Sequence, residues 1–143
     1  MFIKVYKGKE NFEDAAKLRD EVFVKEQGFV DEFDHIDDIA WHVTLYQDDQ
    51  CIGVGRIFAV DIQPDEFHIG RLAIKKAYRK KGYGRIIMNE LEKIAIANMA
   101  KKVVLSAQVH ALDFYRSCEY QSEGDVYLDQ HEPHQKMIKL LDY

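Results

Sequence analysis

The sequence predicts a mixed α/β domain: a central, mostly antiparallel sheet with one parallel strand pair and helices on its flanks. Three observations predict it. Strand-like runs at Trp41–Tyr46, Cys51–Val60 and Phe67–Ile74 follow one another closely, separated by short polar turns, which is how an antiparallel meander reads. Ile87, Leu91, Ile94, Ala95 and Met99 then fall at helical spacing over about four turns. Val103–Val109 is an apolar, buried-type strand, so strand–helix–strand follows the meander and demands a parallel crossover.

The elements can be justified in order. Phe2–Tyr6 alternates around Lys4 and reads as a short strand. Asn11 is placed to cap a helix whose stripe is Ala15, Leu18, Val22 and Phe23, with Gly28 ending it. Residues 29–39 form an acidic, solvated loop carrying Asp31, Glu32, Asp34, Asp37 and Asp38, with Ile36 and Ile39 tucked beneath. Gln47-Asp48-Asp49-Gln50 turns the first hairpin and Pro64-Asp65 the second. After Val109 comes a short helix from Ala111 to about Cys118. Val126–Leu128 and Lys136–Leu141 then close the sheet as a hairpin around Glu132-Pro133.

The 143 residues suit one domain spanning 1–143, with a core large enough to need no staples. Two cysteines, Cys51 and Cys118, are too few for a disulfide scaffold or a four-ligand zinc site, and read as reduced thiols. His131 and His134 lack a nearby third ligand, so no metal is expected. Met1–Tyr6 leads into a charged strand rather than an apolar signal segment, and no apolar run approaches a membrane span. A cytoplasmic location follows as the expectation. With 20 basic against 25 acidic residues, the net charge of −5 argues against nucleic-acid or membrane binding.

Charge is unevenly spread. Between Phe67 and Asn89 there is no acidic residue, yet Arg71, Lys75, Lys76, Arg79, Lys80, Lys81 and Arg85 all fall there. A basic island in an acidic chain suggests a local anionic ligand. Within it, Arg79-Lys80-Lys81-Gly82-Tyr83-Gly84-Arg85 connects a strand to a helix. Glycines there let the backbone approach an anion, while the first helical N–H groups and the helix dipole face it. The arginines and lysines add charge-assisted bonds of about 1.5–3 kcal/mol each when partly desolvated. Neither a Walker A loop nor Gly-x-Gly-x-x-Gly is present, and a plain glycine turn with solvated lysines is the competing reading.

Arg79, Gly82 and Gly84, after a strand and opening a long helix, resemble the [Arg/Gln]-x-x-Gly-x-[Gly/Ala] acyl-CoA motif of the GNAT acetyltransferase superfamily. Ala111-Leu112-Asp113-Phe114-Tyr115 resembles that superfamily's second motif. Phe23–Gly28, the acidic stretch up to His42, Arg56, Gly70-Arg71, Ala107-Gln108, and Pro133-His134 through Met137 are similar to the ElaA-like subgroup, over most of the chain. One position departs: Glu119 stands where the second motif has glycine after its helix, which implies a modified helix end.

The resemblance implies a GNAT fold and transfer of an acetyl group from acetyl-CoA, as co-substrate, to the primary amine of a small molecule or protein. Acyl-CoA would lie in a splay between the strand ending at Ile74 and Val103–Val109, bound by the backbone near Leu72, Ala73 and Ile74. Its pyrophosphate would meet Arg79, Lys80, Lys81, Gly82, Tyr83, Gly84 and Arg85. Tyr115 is the candidate general acid, with aromatic packing beside Phe114 as the plain alternative. Glu26, His42, His68 and His110 are candidates for the base, with His134 behind them, and a water chain can replace any of them. Arg56 and Arg71 either pair with Asp34, Asp37 and Asp38 or hold an acidic substrate group. Two further possibilities follow: a non-catalytic acyl-CoA-binding module, and a homodimer through an exposed edge strand near the C-terminus.

Overall fold

Alternation in the middle of the chain becomes the centre of a sheet. The computed structural model describes residues 1–142. Among them, β1 (Phe2–Lys7), β2 (Trp41–Gln47), β3 (Gln50–Val60), β4 (Gln63–Ile74), β5 (Lys102–Gln108), β6 (Gln121–Ser122), β7 (Tyr127–Asp129) and β8 (Glu132–Leu140) join one sheet. Its order is β1-β2-β3-β4-β5-β8-β6, with β7 also on β8. Every pairing is antiparallel except β4 with β5, the crossover that α2 (Tyr83–Ala97) makes. Two other helices flank the sheet: α1 (Glu13–Arg19), which runs on as a π-helix over Asp20–Glu26, and α3 (Leu112–Ser117). The mostly antiparallel sheet with one parallel pair and flanking helices, expected of the sequence, is the architecture observed.

The two sheet faces carry different cores. On one, α2 buries Ile87, Met88, Leu91 and Ala95 against Val43, Leu45, Ile57, Phe67 and Ile69. The close approach depends on Gly55, where a Cβ would stand 2.8 Å from Leu91 Cδ1. On the other, Ala15, Leu18, Val22, Phe23 and Phe29 pack on Val54 and Ala73. The helical stripe anticipated for α1 is therefore the buried one, and the wider π turn lets adjacent Val22 and Phe23 both face inward.

Several local readings are corrected. Asn11 does not cap α1; it sits at φ 63°, a conformation asparagine tolerates, and Phe12 is the residue before the helix. Asp61 and Ile62 make the second turn, so Pro64 lies in β4, ahead of Glu66 where pairing with β5 begins and its missing N–H is needed less. Gln130 and His131 turn the last hairpin, not Glu132-Pro133. Met99 lies past the end of α2, exposed, at φ 66°. Glu119 itself takes the left-handed conformation (φ 74°), so the helix end is kept rather than modified.

The acidic loop shows the largest inversion. Ile39 is 51% exposed, whereas Glu32 and Asp37 are buried. Asp37 receives Arg19 at 2.8 Å and Arg56 at 2.8 Å; Glu32 receives Arg19 at 3.0 Å and Arg71 at 2.9 Å; Asp34 receives Arg56 at 2.7 Å. Three arginines and three carboxylates thus fill the space between α1 and β2–β4, which decides for structural pairing of Arg56 and Arg71 with the loop. Asp38 instead pairs with Lys9 at the surface.

This network sets the acid response of the fold. Burial raises the Asp37 carboxyl, but bonds and charge from Arg19 and Arg56 outweigh it and bring it down to about 2. Its stabilisation is therefore full above the unfolded value of 3.8 and is lost as pH falls through about 2. Burial lowers the His42 imidazole, so that group contributes stability above 6.5 and loses it below. Glu32, pushed up by burial, works in the opposite sense. Urea midpoints measured against pH should fall first below 6.5 and again between 3.8 and about 2. Asp37→Asn should shrink the second fall, leaving the smaller share of Asp34, Glu26 and Glu66, and cost about 3–5 kcal/mol at neutral pH.

Candidate active site

The site begins with a defect in the sheet. On β3 a single residue, Gly55, separates Val54 from Arg56, while on β4 both Arg71 and Leu72 separate their partners Ala73 and Gly70. This is a β-bulge, and Arg71 within it has φ 55°. Arg71 holds that conformation with its guanidinium anchored on Glu32 and on the Glu32 carbonyl, the latter at 3.1 Å. Pairing of β4 with β5 runs only from Glu66–Lys102 to Ile69–Leu105 and stops where the bulge begins. Past that point β4 (Gly70–Ile74) and β5 (Ser106–Gln108) diverge, and β5 pairs only with β8. A crevice opens between them, edged on the β4 side by the backbone of Leu72, Ala73 and Ile74.

The basic turn lies at the mouth of this crevice. Gly82 precedes α2 at φ 87°, with open space where a Cβ would project, so the N–H groups of the first α2 turn are uncovered. The cations divide into two sets. Arg79 is engaged, donating to both Glu26 oxygens at 2.6 and 2.7 Å and to the Ile74 carbonyl at 2.8 Å. Arg85 donates to Ser117 Oγ at 2.8 Å. Lys80 has no ion-pair partner among the described residues, and Lys81 lies 6.0 Å from the Tyr78 ring. Tyr83 donates to Gln47 Oε1 at 2.7 Å and packs on the core.

α3 follows β5 through the turn at Val109–Ala111 and lies against the start of α2. Gly84 abuts the Phe114 ring, which brings the start of α2 against α3. Tyr115 follows, packed between Phe114 and Tyr120 at 5.1 and 6.2 Å between centroids. Burial, with the neighbouring Cys118, pushes its phenol above the usual tyrosine range, so it stays protonated. Burial also raises the Cys118 thiol.

The base candidates scatter. Glu26 is tied to Arg79, which lowers its carboxyl. His68 faces the paired part of β4, with Nε2 2.7 Å from Glu66. His42 is sealed on β2, two strands from β4, with Nε2 on the Asp37 carbonyl and Nδ1 unpartnered. His110 is exposed beyond β5, bonded to Gln108. These four share no cavity.

A second wall of the crevice was not legible from spacing. Gln108 Nε2 donates to Gln27 Oε1 at 2.9 Å, and His131 Nε2 donates to the Gln27 carbonyl at 2.7 Å. Gln130 clasps Val30 through two bonds, at 2.9 and 2.6 Å, across 100 residues. Tyr127 bonds Ser106 and stacks near His134, whose other neighbour is Phe29. The segment after the π-helix and the β7–β8 hairpin thus meet above the splayed end of β5. The resemblance at Phe23–Gly28, Ala107-Gln108 and Pro133-His134 touched this wall without joining its parts; Ser106, Tyr127 and Gln130 carry no local signal.

Residues 10–120 match the sequence model of the acetyltransferase (GNAT) family. YjcF of Bacillus subtilis (strain 168), an uncharacterized N-acetyltransferase, is 34% identical over 139 residues, covering 94% of this chain and 96% of its own. The crystal structure of Escherichia coli ElaA superposes with a TM-score of 0.86 at 25% identity, covering 96% of this chain and 98% of ElaA. An aminoglycoside 6'-N-acetyltransferase complexed with coenzyme A shares the fold, with a TM-score of 0.76 at 14% identity over 98% of this chain and 97% of its own.

The clasp between the hairpin and Val30 is testable alone. Gln130→Ala should speed exchange of the Val30 amide measured by NMR, while global stability falls by about 1 kcal/mol or less, since both lost bonds are exposed.

Proposed function

This chain belongs to the acetyltransferase (GNAT) family of acyl-CoA N-acyltransferases, and from there we propose that it moves the acetyl group of acetyl-CoA to a primary amine by direct attack in a ternary complex. The reading takes residues 1–143 as one catalytic domain. The observation that carries it is the crevice left where β4 and β5 part, with an uncovered helix N-terminus at its mouth. An extended pantetheine arm fits an unpaired strand edge, since its amides can replace the missing ladder bonds at Leu72, Ala73 and Ile74. A pyrophosphate fits the first α2 turn, with Gly82, Tyr83 and Gly84 supplying backbone and Lys80 and Lys81 free charge. Arg79 and Arg85 hold the turn in shape, through Glu26 and Ser117, while adding to its positive field. That an aminoglycoside 6'-N-acetyltransferase of the same fold is complexed with coenzyme A supports a CoA ligand here.

In this reaction the amine nitrogen attacks the thioester carbonyl, the tetrahedral intermediate collapses, and the C–S bond breaks. Tyr115 donates its phenolic proton to the departing sulfur. Cys118 argues for direct attack rather than an acyl-cysteine relay: it is buried, its thiol is raised, and the thiolate is the nucleophilic form.

A thermal-shift series with acetyl-CoA, CoA, ATP and inorganic phosphate should single out the CoA species, with about 2.7 kcal/mol of stabilisation at 100 times the dissociation constant. Free-thiol release from acetyl-CoA, followed over a panel of polyamine, aminoglycoside and lysine peptide, should show turnover. Tyr115→Phe should lower kcat by about 10²–10⁴-fold with little change in the KM for acetyl-CoA. Binding of CoA with no amine ever acetylated would leave a non-catalytic CoA-binding module instead.

A further inference from the structure

We propose that His134 is the general base that takes the proton from the attacking amine; the inference rests on the acetyl-transfer reading above. His134 lies on β8 directly beside Gln108, the last residue of splayed β5. Its Nδ1 is 2.9 Å from the Glu132 carbonyl, and a carbonyl can only accept, so Nδ1 carries the proton. The lone pair is therefore on Nε2. That nitrogen has no hydrogen bond among the described residues, yet it is not among their sealed, unsatisfied atoms, although the residue is only 6% exposed. A buried imidazole with its tautomer fixed from behind and its basic nitrogen left open is built to receive a proton.

The surroundings aim it. Tyr127 lies near-parallel to the ring with centroids 6.2 Å apart, and Phe29 meets it edge-on at 6.2 Å, so the imidazole is flanked on both sides. Tyr127 is in turn held by Ser106, whose exposed side chain lies on the same edge of β5 as Gln108. Strands lie about 4.8 Å apart, so His134 sits one strand from the unpaired end of β5, a span that a bridging water can close. Each rival histidine or carboxylate lacks one of these properties. Glu26 is lowered by Arg79, His68 is bonded to Glu66, His42 is sealed, and His110 and His131 are exposed.

The step balances. Nε2 takes one proton from the amine nitrogen as the C–N bond forms; Tyr115 gives one to sulfur as the C–S bond breaks. Solvent returns the first proton to the phenolate, so the products are amide and CoA thiol. An acceptor arriving as an ammonium ion releases one further proton to water.

Steady-state rates with acetyl-CoA and the best amine of the panel above decide it. His134→Gln should lower kcat/KM for the amine by about 10²–10⁴-fold and erase the acid limb of the wild-type pH profile. Stabilisation by CoA should persist, and imidazole should restore part of the activity of His134→Ala. Wild-type rate and profile in His134→Gln would overturn the assignment while leaving the acetyltransferase reading intact; wild-type protein that acetylates no amine would overturn both. A further check needs no variant: nitrogen-15 spectra of wild-type histidines should show His134 protonated at Nδ1, and the opposite tautomer would refute the proposal.

Discussion

The fold turns on a buried ionic cluster. Arg19 and Asp37 are fully buried, and Arg56 and Glu32 nearly so. Moving such ions out of water costs several kcal/mol each, and removing one partner strands the others. None of the six groups is therefore free to choose its position. Glu32, Asp34 and Asp37 must lie over β3 and β4, and this pulls residues 29–39 flat against the sheet instead of leaving them in solvent. Phe29, at the start of that segment, is thereby brought to the wall formed with His131 and His134. The same carboxylates hold Arg71 in the left-handed conformation that makes the bulge. One electrostatic constraint thus positions both the splay in the sheet and the surface facing it.

The two faces of the sheet then serve different ends. Below, an apolar core fixes α2 so closely that Gly55 has no room for a side chain, and the start of α2 inherits that rigidity. Above, polar contacts over long separations tie the π-helix segment to the last hairpin. Packed cores position to fractions of an ångström, whereas exposed hydrogen-bonded clasps open more readily. Under the proposed acetyl transfer, a rigid start of α2 opposite a more yielding wall suits a reaction whose donor is constant and whose acceptor must enter and leave. The Glu26–Arg79 pair is the link between them, since it joins the end of the π-helix to the turn before α2.

What the sequence disclosed follows from the range of the interactions involved. The meander, the α1 stripe, α2 and the crossover were legible because periodicity and turn chemistry act over a few residues. The glycine-bearing basic turn between β4 and α2 was legible for the same reason, as glycine and charge lie within seven consecutive positions from Arg79 to Arg85. Failures came where a distant partner overrode local preference. Glu32 and Asp37 read as solvated because Arg19 and Arg56 are far along the chain, and Ile39 was placed inside in their stead. Pro64 and Pro133 read as turns because nothing local shows that neighbouring strands leave their missing N–H unneeded. His42 resembled a functional histidine by its setting, yet it lies two strands from the crevice.

The same burial that makes Tyr115 a donor also limits what it can do. A phenol raised by desolvation stays protonated at working pH, so in the proposed reaction it has a proton to offer. Handing that proton to a thiolate of ordinary acidity is uphill, by about 1.4 kcal/mol for each unit separating the two groups. In the proposed reaction Tyr115 therefore does most as a hydrogen-bond donor, stabilising charge as it gathers on sulfur, with the proton crossing only late as the C–S bond parts. That shifts the burden of proton management to the amine side. A base there acts as the C–N bond forms, when positive charge on the nitrogen makes it acidic, and needs a free lone pair at that moment. Of the histidines and carboxylates near the splay, His134 has its tautomer fixed by the backbone while its second nitrogen stays open.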